Sequence, residues 1–213
     1  MNKIDLDRYK VVIFDLGEVI IDLNPKAVID GFADHFSHER SDYERLRELI
    51  VKSPELYEFE IGLLSERDFV ESISAKFSKG ITVGKFREIW NRMLLPIEEK
   101  KIELLKRLGD SHRVFFLSNT NITHQNEFDR MFAESSGYRC LEDLVEKAFY
   151  SHLVGMRKPE SRIYQHVLEE IKVLHPGEVI FIDDRQENTK MAEQIGFNTL
   201  HLQSSDQLLQ IFA

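Results

Sequence analysis

The sequence predicts an α/β fold, a doubly wound parallel sheet of the Rossmann-like kind, with a helical cap inserted after the first strand. Three observations carry that expectation. Compact apolar runs recur at residues 11–14, 114–117, 179–182 and, more weakly, 199–202, without the polar alternation of a half-exposed strand. Apolar residues return every three or four positions over 97–108, 121–132, 160–171, 188–195 and 206–212, which is the helical period. Strand and helix therefore alternate, except over residues 22–96, where helical stretches follow one another with no strand between them.

The first run reads VVIF, β-branched and aromatic residues that suit extended backbone, and it stops at Asp15-Leu16-Gly17. Within 22–96, Ser65 followed by Asp68 marks a helix start leading into Phe69, Ile73 and Phe77, with Gly62 in the turn before it. An insert at this point sits above the carboxyl ends of the strands, where open α/β sheets bind ligands. No Pro/Gly/Ser-rich linker tethers it, so a packed cap is expected: core 1–21 and 97–213, cap 22–96. The second run stops at Ser118-Asn119, a weaker strand is expected at 148–151, and the run at 179–182 stops at Asp183-Asp184.

A length of 213 residues suffices for one sizeable core, or a core and a small lid. The formal net charge of -9 is spread along the chain and argues against nonspecific binding to nucleic acid or anionic membrane. Any phosphate site must then be built from a few local cations, backbone N–H groups or a metal. Cys140 is the only cysteine, which excludes an intrachain disulfide and a cysteine-rich metal site and suits a reducing, cytoplasmic compartment. The charged start, MNKIDLDRYK, lacks the apolar core of a secretion signal, and no later segment approaches the ~18 apolar residues of a membrane span. A monomer or weak homodimer is expected.

Chemistry concentrates where the apolar runs end. Asp15 stands where the backbone leaves the sheet and can attack phosphorus to form an acyl-phosphate; a turn former or helix cap is the alternative. Ser118 and Asn119 offer a hydroxyl and free backbone donors before the next helix, suited to a phosphoryl oxygen or simply to an N-cap. Arg157-Lys158-Pro159 puts two cations before a proline that fits a first helical position; one can neutralise a phosphate, and both can equally be surface charges. Asp183 and Asp184 are adjacent acids that repel unless a cation lies between them, and hard oxygen ligands suit Mg²⁺ bridging to Asp15. Here too a helix cap with a solvent-facing acid is the alternative.

Together, FDLGEVI at 14–20, LSNT at 117–120, RKPE at 157–160 and FIDDRQEN at 181–188 resemble the four ordered motifs of the haloacid dehalogenase-like hydrolase superfamily, and the likeness covers essentially the whole chain. The segments YEFEIGLLSERDF at 57–69 and GMRKPESRIYQHVL at 155–168 look especially like the bacterial glucose-1-phosphate phosphatase branch, which has a small helical cap. The resemblance implies a Mg²⁺-dependent phosphatase acting on a small phosphorylated metabolite of the sugar-phosphate class. It implies Asp15 as nucleophile and metal ligand, the Gly17 carbonyl as a second metal oxygen, and Asp184 with Asp183 alongside as the rest of the metal shell. Ser118 and the Asn119 backbone would hold phosphate, Lys158 would stabilise shared charge, and Asn188 would support the metal ligands.

One position departs from most phosphatases of that superfamily: Gly17 stands where they carry a second aspartate as general acid and base, although the glucose-1-phosphate branch also has glycine there. Over the site, Glu58, Glu60 and Gly62 are expected to form a turn, with Glu60 available to sugar hydroxyls or merely solvated. Trp90, Phe86, Phe69 and Phe77 are read as cap packing, and His124 as a surface helix position. Two other functions share the motifs: a metal-free 2-haloacid dehalogenase, and a catalytically idle phosphate-binding regulator. The acid pair speaks against the first and the otherwise complete motif set against the second.

Overall fold

The computed structural model describes residues 5–36 and 43–212. Five strands, β1 (Val11–Phe14), β2 (Arg113–Ser118), β3 (Lys147–Tyr150), β4 (Val179–Asp183) and β5 (Asn198–His201), form a sheet in the order β3-β2-β1-β4-β5. All of its pairings are parallel. Between β1 and β2 lie α1 (Pro25–Phe36), α2 (Tyr43–Leu46), α3 (Pro54–Glu60), α4 (Glu66–Ser74) and α5 (Val83–Trp90). The later helices are α6 (Glu99–Gly109), α7 (Ile122–Ser136), α8 (Ser151–Val154), α9 (Ser161–Ile171), α10 (Gln186–Ile195) and α11 (Asp206–Ile211).

Every side chain of β1 is fully buried, and alternate residues serve opposite faces. Val12 and Phe14 pack with Leu105 of α6, Phe128 of α7 and Leu208 of α11; Val11 and Ile13 pack with Tyr164 and Val167 of α9 and Ala192 of α10. Helices cover both faces, which is why the strands read as unbroken apolar runs.

A third cluster is drawn from the insert alone: Phe32 of α1, Phe59 of α3, Phe69 of α4, and Phe86 and Trp90 of α5. Its rings pair at 4.6 Å (Phe59–Phe69) and 5.3 Å (Phe86–Trp90), contacts that add to the area they bury. Ser53, Ser65 and Thr82 each accept a hydrogen bond from a backbone N–H in the first turn of α3, α4 and α5, so side-chain caps fix where these helices begin.

The structure shifts several boundaries. The strand expected at 199–202 lies one residue earlier, and β3 ends at Tyr150 because Ser151 opens α8. Pro159 precedes Glu160, the N-cap of α9, instead of occupying the first helical position. Glu58 and Glu60 belong to α3, and the turn comes after them at Gly62. There φ is +73°, and a Cβ would lie 2.2 Å from the His152 carbonyl oxygen. Only glycine allows this approach of the insert to α8.

β1 lies between β2 and β4, so successive connections leave it in opposite directions. This is the switch point of the sheet, and the crevice opens at the carboxyl ends of the three strands. The register places Phe14 beside Phe116 and Ile182, which brings the residues just beyond them to one edge.

Candidate active site

Asp15 follows β1, Ser118 ends β2, and Asp183 ends β4 with Asp184 next to it. The Lys158 ammonium, 1% exposed, reaches this edge from the loop before α9 and lies 2.9 Å from Asp15 Oδ1 and 2.7 Å from Asp183 Oδ2. Its backbone is held in both directions by Asn119, whose Nδ2 donates to the Lys158 carbonyl and whose Oδ1 accepts from the Lys158 N–H, each at 2.8 Å. The Asn119 side chain thus positions Lys158, and only its backbone is left to meet a phosphate.

Asp183 is fully buried and its oxygens are heavily engaged. Oδ1 accepts from the Arg185 N–H and Asn188 Nδ2, and Oδ2 from Lys158 Nζ and the same amide. Asp15 differs: Oδ1 accepts from Leu16 N–H at 2.7 Å and forms an ion pair with Lys158 Nζ at 2.9 Å, while Oδ2 has no hydrogen-bond partner among the described residues. Burial, against the Lys158 charge and with Asp183 and Asp184 adding to it, pushes the Asp15 carboxyl up to about 7. Burial likewise raises Asp184, with Asp183 contributing. One lysine therefore faces three carboxylates that each bring an oxygen within 4.8 Å of the others. A further cation is what such a cluster lacks.

Two adjoining cavities open here. One, of about 140 Å³, is lined by Asp15, Gly17, Ser118, Lys158, Asp184 and Asn188 among others. The second, of about 180 Å³, shares Gly17, Leu23, Ser118 and Asn119 and extends under the insert to Leu56, Glu60, Trp90, Met93, His124 and Phe128. Glu60, at the end of α3, pairs with Arg157 at 2.6 Å, and burial raises its carboxyl. His124 is not a surface position: it is half-buried, stacks on Trp90 at 5.2 Å, and contacts the Trp90 carbonyl through Nε2. Trp90 does pack in the insert, as expected, and also lines the cavity. The apolar cavity residues Leu56, Met93 and Phe128 carry no sequence signal that separates them from ordinary core.

A family model, "haloacid dehalogenase-like hydrolase", matches residues 9–196. The chain belongs to that family. Among the relatives of this hydrolase is D-ribitol-5-phosphate phosphatase of Bacteroides thetaiotaomicron, 24% identical over 190 residues, 89% of this chain and 90% of the relative. Another is a sesquiterpene phosphatase of Aspergillus oryzae, 28% identical over 201 residues and covering 92% and 91%. A solved haloacid dehalogenase-family enzyme of Bacteroides thetaiotaomicron, in complex with magnesium and inorganic phosphate, superposes with a TM-score of 0.78 at 29% identity, covering 91% of this chain and 93% of that one. The family model establishes the hydrolase family, and nothing in these relatives singles out the narrower glucose-1-phosphate branch.

The hydrolase has a donor set that fits a magnesium ion: oxygens of Asp15 and Asp184, hard ligands in a cluster short of positive charge. Asp183 is close enough to count with them, but its hydrogen bonds already tie it to Lys158 and Asn188. The Gly17 peptide lines the same pocket. Glu18, the next residue, adopts φ 55°, and its Oε1 accepts from Leu23 N–H at 3.2 Å. That bond engages the Glu18 carboxylate with the Leu23 backbone.

Proposed function

We propose that this hydrolase is a Mg²⁺-dependent phosphomonoesterase acting on a small phosphorylated metabolite, of the sugar-phosphate type, through an aspartyl-phosphate on Asp15. The observation that carries the reading is the state of Asp15: Oδ1 is anchored by Leu16 N–H and Lys158, and Oδ2 is left clear beside a cavity that Ser118 and Lys158 also line. Oδ2 attacks phosphorus, the bond from phosphorus to the leaving oxygen breaks, and water then hydrolyses the acyl-phosphate. The Ser118 hydroxyl and the Asn119 N–H hold phosphoryl oxygens, and Lys158 neutralises charge shared between Asp15 and the phosphoryl group.

Asp15, Asp184 and the Gly17 carbonyl would hold the magnesium, which supplies positive charge against the approach of one anion to another. Asp183 and Asn188 hold Lys158 and the β4 end in place. Residues 22–96 act as the cap, and Glu60 reaches from it toward the hydroxyls of the leaving group. The names of the two relatives, a pentitol-phosphate phosphatase and a sesquiterpene phosphatase, support phosphate-ester hydrolysis, and the first supports the sugar-phosphate class; glucose-1-phosphate is one member of that class.

The direct test compares phosphate release from p-nitrophenyl phosphate and sugar phosphates in Mg²⁺ with chloride release from 2-chloropropionate. Phosphate release alone is expected. Chloride release without phosphate release would replace this reading with a dehalogenase.

A further inference from the structure

Two polar atoms belonging to residues of the 180 Å³ cavity have no hydrogen-bond partner among the described residues. One is the indole Nε1 of Trp90, a donor in a residue only 2% exposed. The other is Glu60 Oε2. Arg157 Nη1 stands 2.6 Å from that oxygen and balances its charge, but not along a hydrogen-bonding direction, so its accepting capacity is unspent.

Neighbouring polar groups are engaged. His124 Nε2 meets the Trp90 carbonyl at 3.1 Å, both side-chain ends of Asn119 hold the Lys158 backbone, and the Thr120 peptide groups are taken by the Ser151 hydroxyl. Much of the remaining wall is apolar: Leu23, Leu56, Met93, Leu94 and Phe128. The indole is also fixed in place, stacked between His124 at 5.2 Å and Phe86 at 5.3 Å. A buried donor and a buried acceptor kept unpaired beside a largely apolar cavity are costly unless something that enters the cavity pairs them.

We propose that Trp90 and Glu60 together read the leaving group: the indole N–H donates to one of its hydroxyls and the Glu60 carboxylate accepts from another. Trp90 is thereby a specificity-determining residue as well as a packing residue. The inference rests on the phosphatase reading and deepens it. An alkyl chain of the same length would fill the apolar wall equally well but leave both polar atoms unpaired, and a site built to hydrogen-bond a hydroxyl discriminates strongly against an analogue that lacks it.

The experiment compares kcat/KM for a pentitol phosphate and for pentyl phosphate, with p-nitrophenyl phosphate as a reference for the chemistry. The parent is expected to favour the pentitol ester by about a hundredfold or more. Trp90→Phe, which keeps an aromatic ring, is expected to shrink that ratio at least about tenfold, the effect of one lost hydrogen bond. Glu60→Gln, outside the aromatic cluster, should shrink it independently of ring packing. A parent that hydrolyses both esters equally overturns the proposal. So does a ratio unmoved by both substitutions, which would leave the two residues with structural roles only. A parent that turns over none of the three esters overturns the phosphatase reading and this inference with it, whereas turnover without preference overturns the inference alone.

Discussion

Asp15→Asn is expected to abolish hydrolysis of p-nitrophenyl phosphate, lowering kcat by at least about a thousandfold while leaving the protein folded. The amide keeps the shape of the side chain but cannot act as the nucleophile, so no acyl-phosphate forms. The fold should not suffer, because the substitution removes one of three carboxylates whose oxygens crowd within 4.8 Å of one another. The thermal midpoint of the metal-free variant is therefore expected at or above that of the parent. Loss of activity with the midpoint retained is the signature of a chemical role; equal rates for variant and parent would exclude Asp15 as the nucleophile.

Lys158→Met is expected to harm both chemistry and stability. The ammonium is 1% exposed and sits 2.9 Å from Asp15 and 2.7 Å from Asp183, so a neutral side chain leaves two buried carboxylates without their counter-charge. Removing one partner from a buried ion pair costs about 3–5 kcal/mol. Turnover should also fall by about a hundredfold to a thousandfold, the usual loss when one preorganised charge-stabilising donor is deleted. Denaturant unfolding and steady-state kinetics on the same preparation measure the two effects. A variant with parental stability would show that Lys158 does not compensate these acids.

The contrast between the two substitutions follows from what each side chain does for the fold. Asp15 is held in a position unfavourable for a carboxylate, by burial and by neighbouring acids. Lys158 makes that position tolerable. That unfavourable setting is offset by the lysine and by Asn119, which fixes the lysine backbone from the end of a different strand.

How much of this was legible in the sequence depended on the range of the interactions. Parallel strands buried on both faces leave an unbroken run such as VVIF at 11–14, and the residue that ends the run is also the residue that emerges at the crevice. Asp15, Ser118 and Asp183 were therefore visible as strand-end residues, and the sheet order brings them together. The division of labour between Asp183 and Asp184 was not visible, because it depends on Lys158 and Asn188 closing on one carboxylate from other parts of the fold.

The same is true of Asn119, whose partner lies 39 residues away. His124 reads as an exposed helical residue until α5 of the insert lays Trp90 against it. Gly62, following so closely, predicts a turn at Glu60, whereas the Ser53 cap and Pro54 start a helix that runs through to it. Local signals located the edge of the sheet; the packing of the insert onto that edge decided which polar atoms remained available.

In the proposed mechanism a divalent cation joins Asp15 to Asp184 and permits attack on an anion. The deciding experiment strips the protein with EDTA, assays phosphate release from p-nitrophenyl phosphate, and then adds Mg²⁺ back in excess. Activity is expected to fall to about a hundredth or less and to return with Mg²⁺, since a Lewis-acidic cation contributes several kcal/mol of charge stabilisation. Phosphate release that continues undiminished in EDTA would contradict that mechanism.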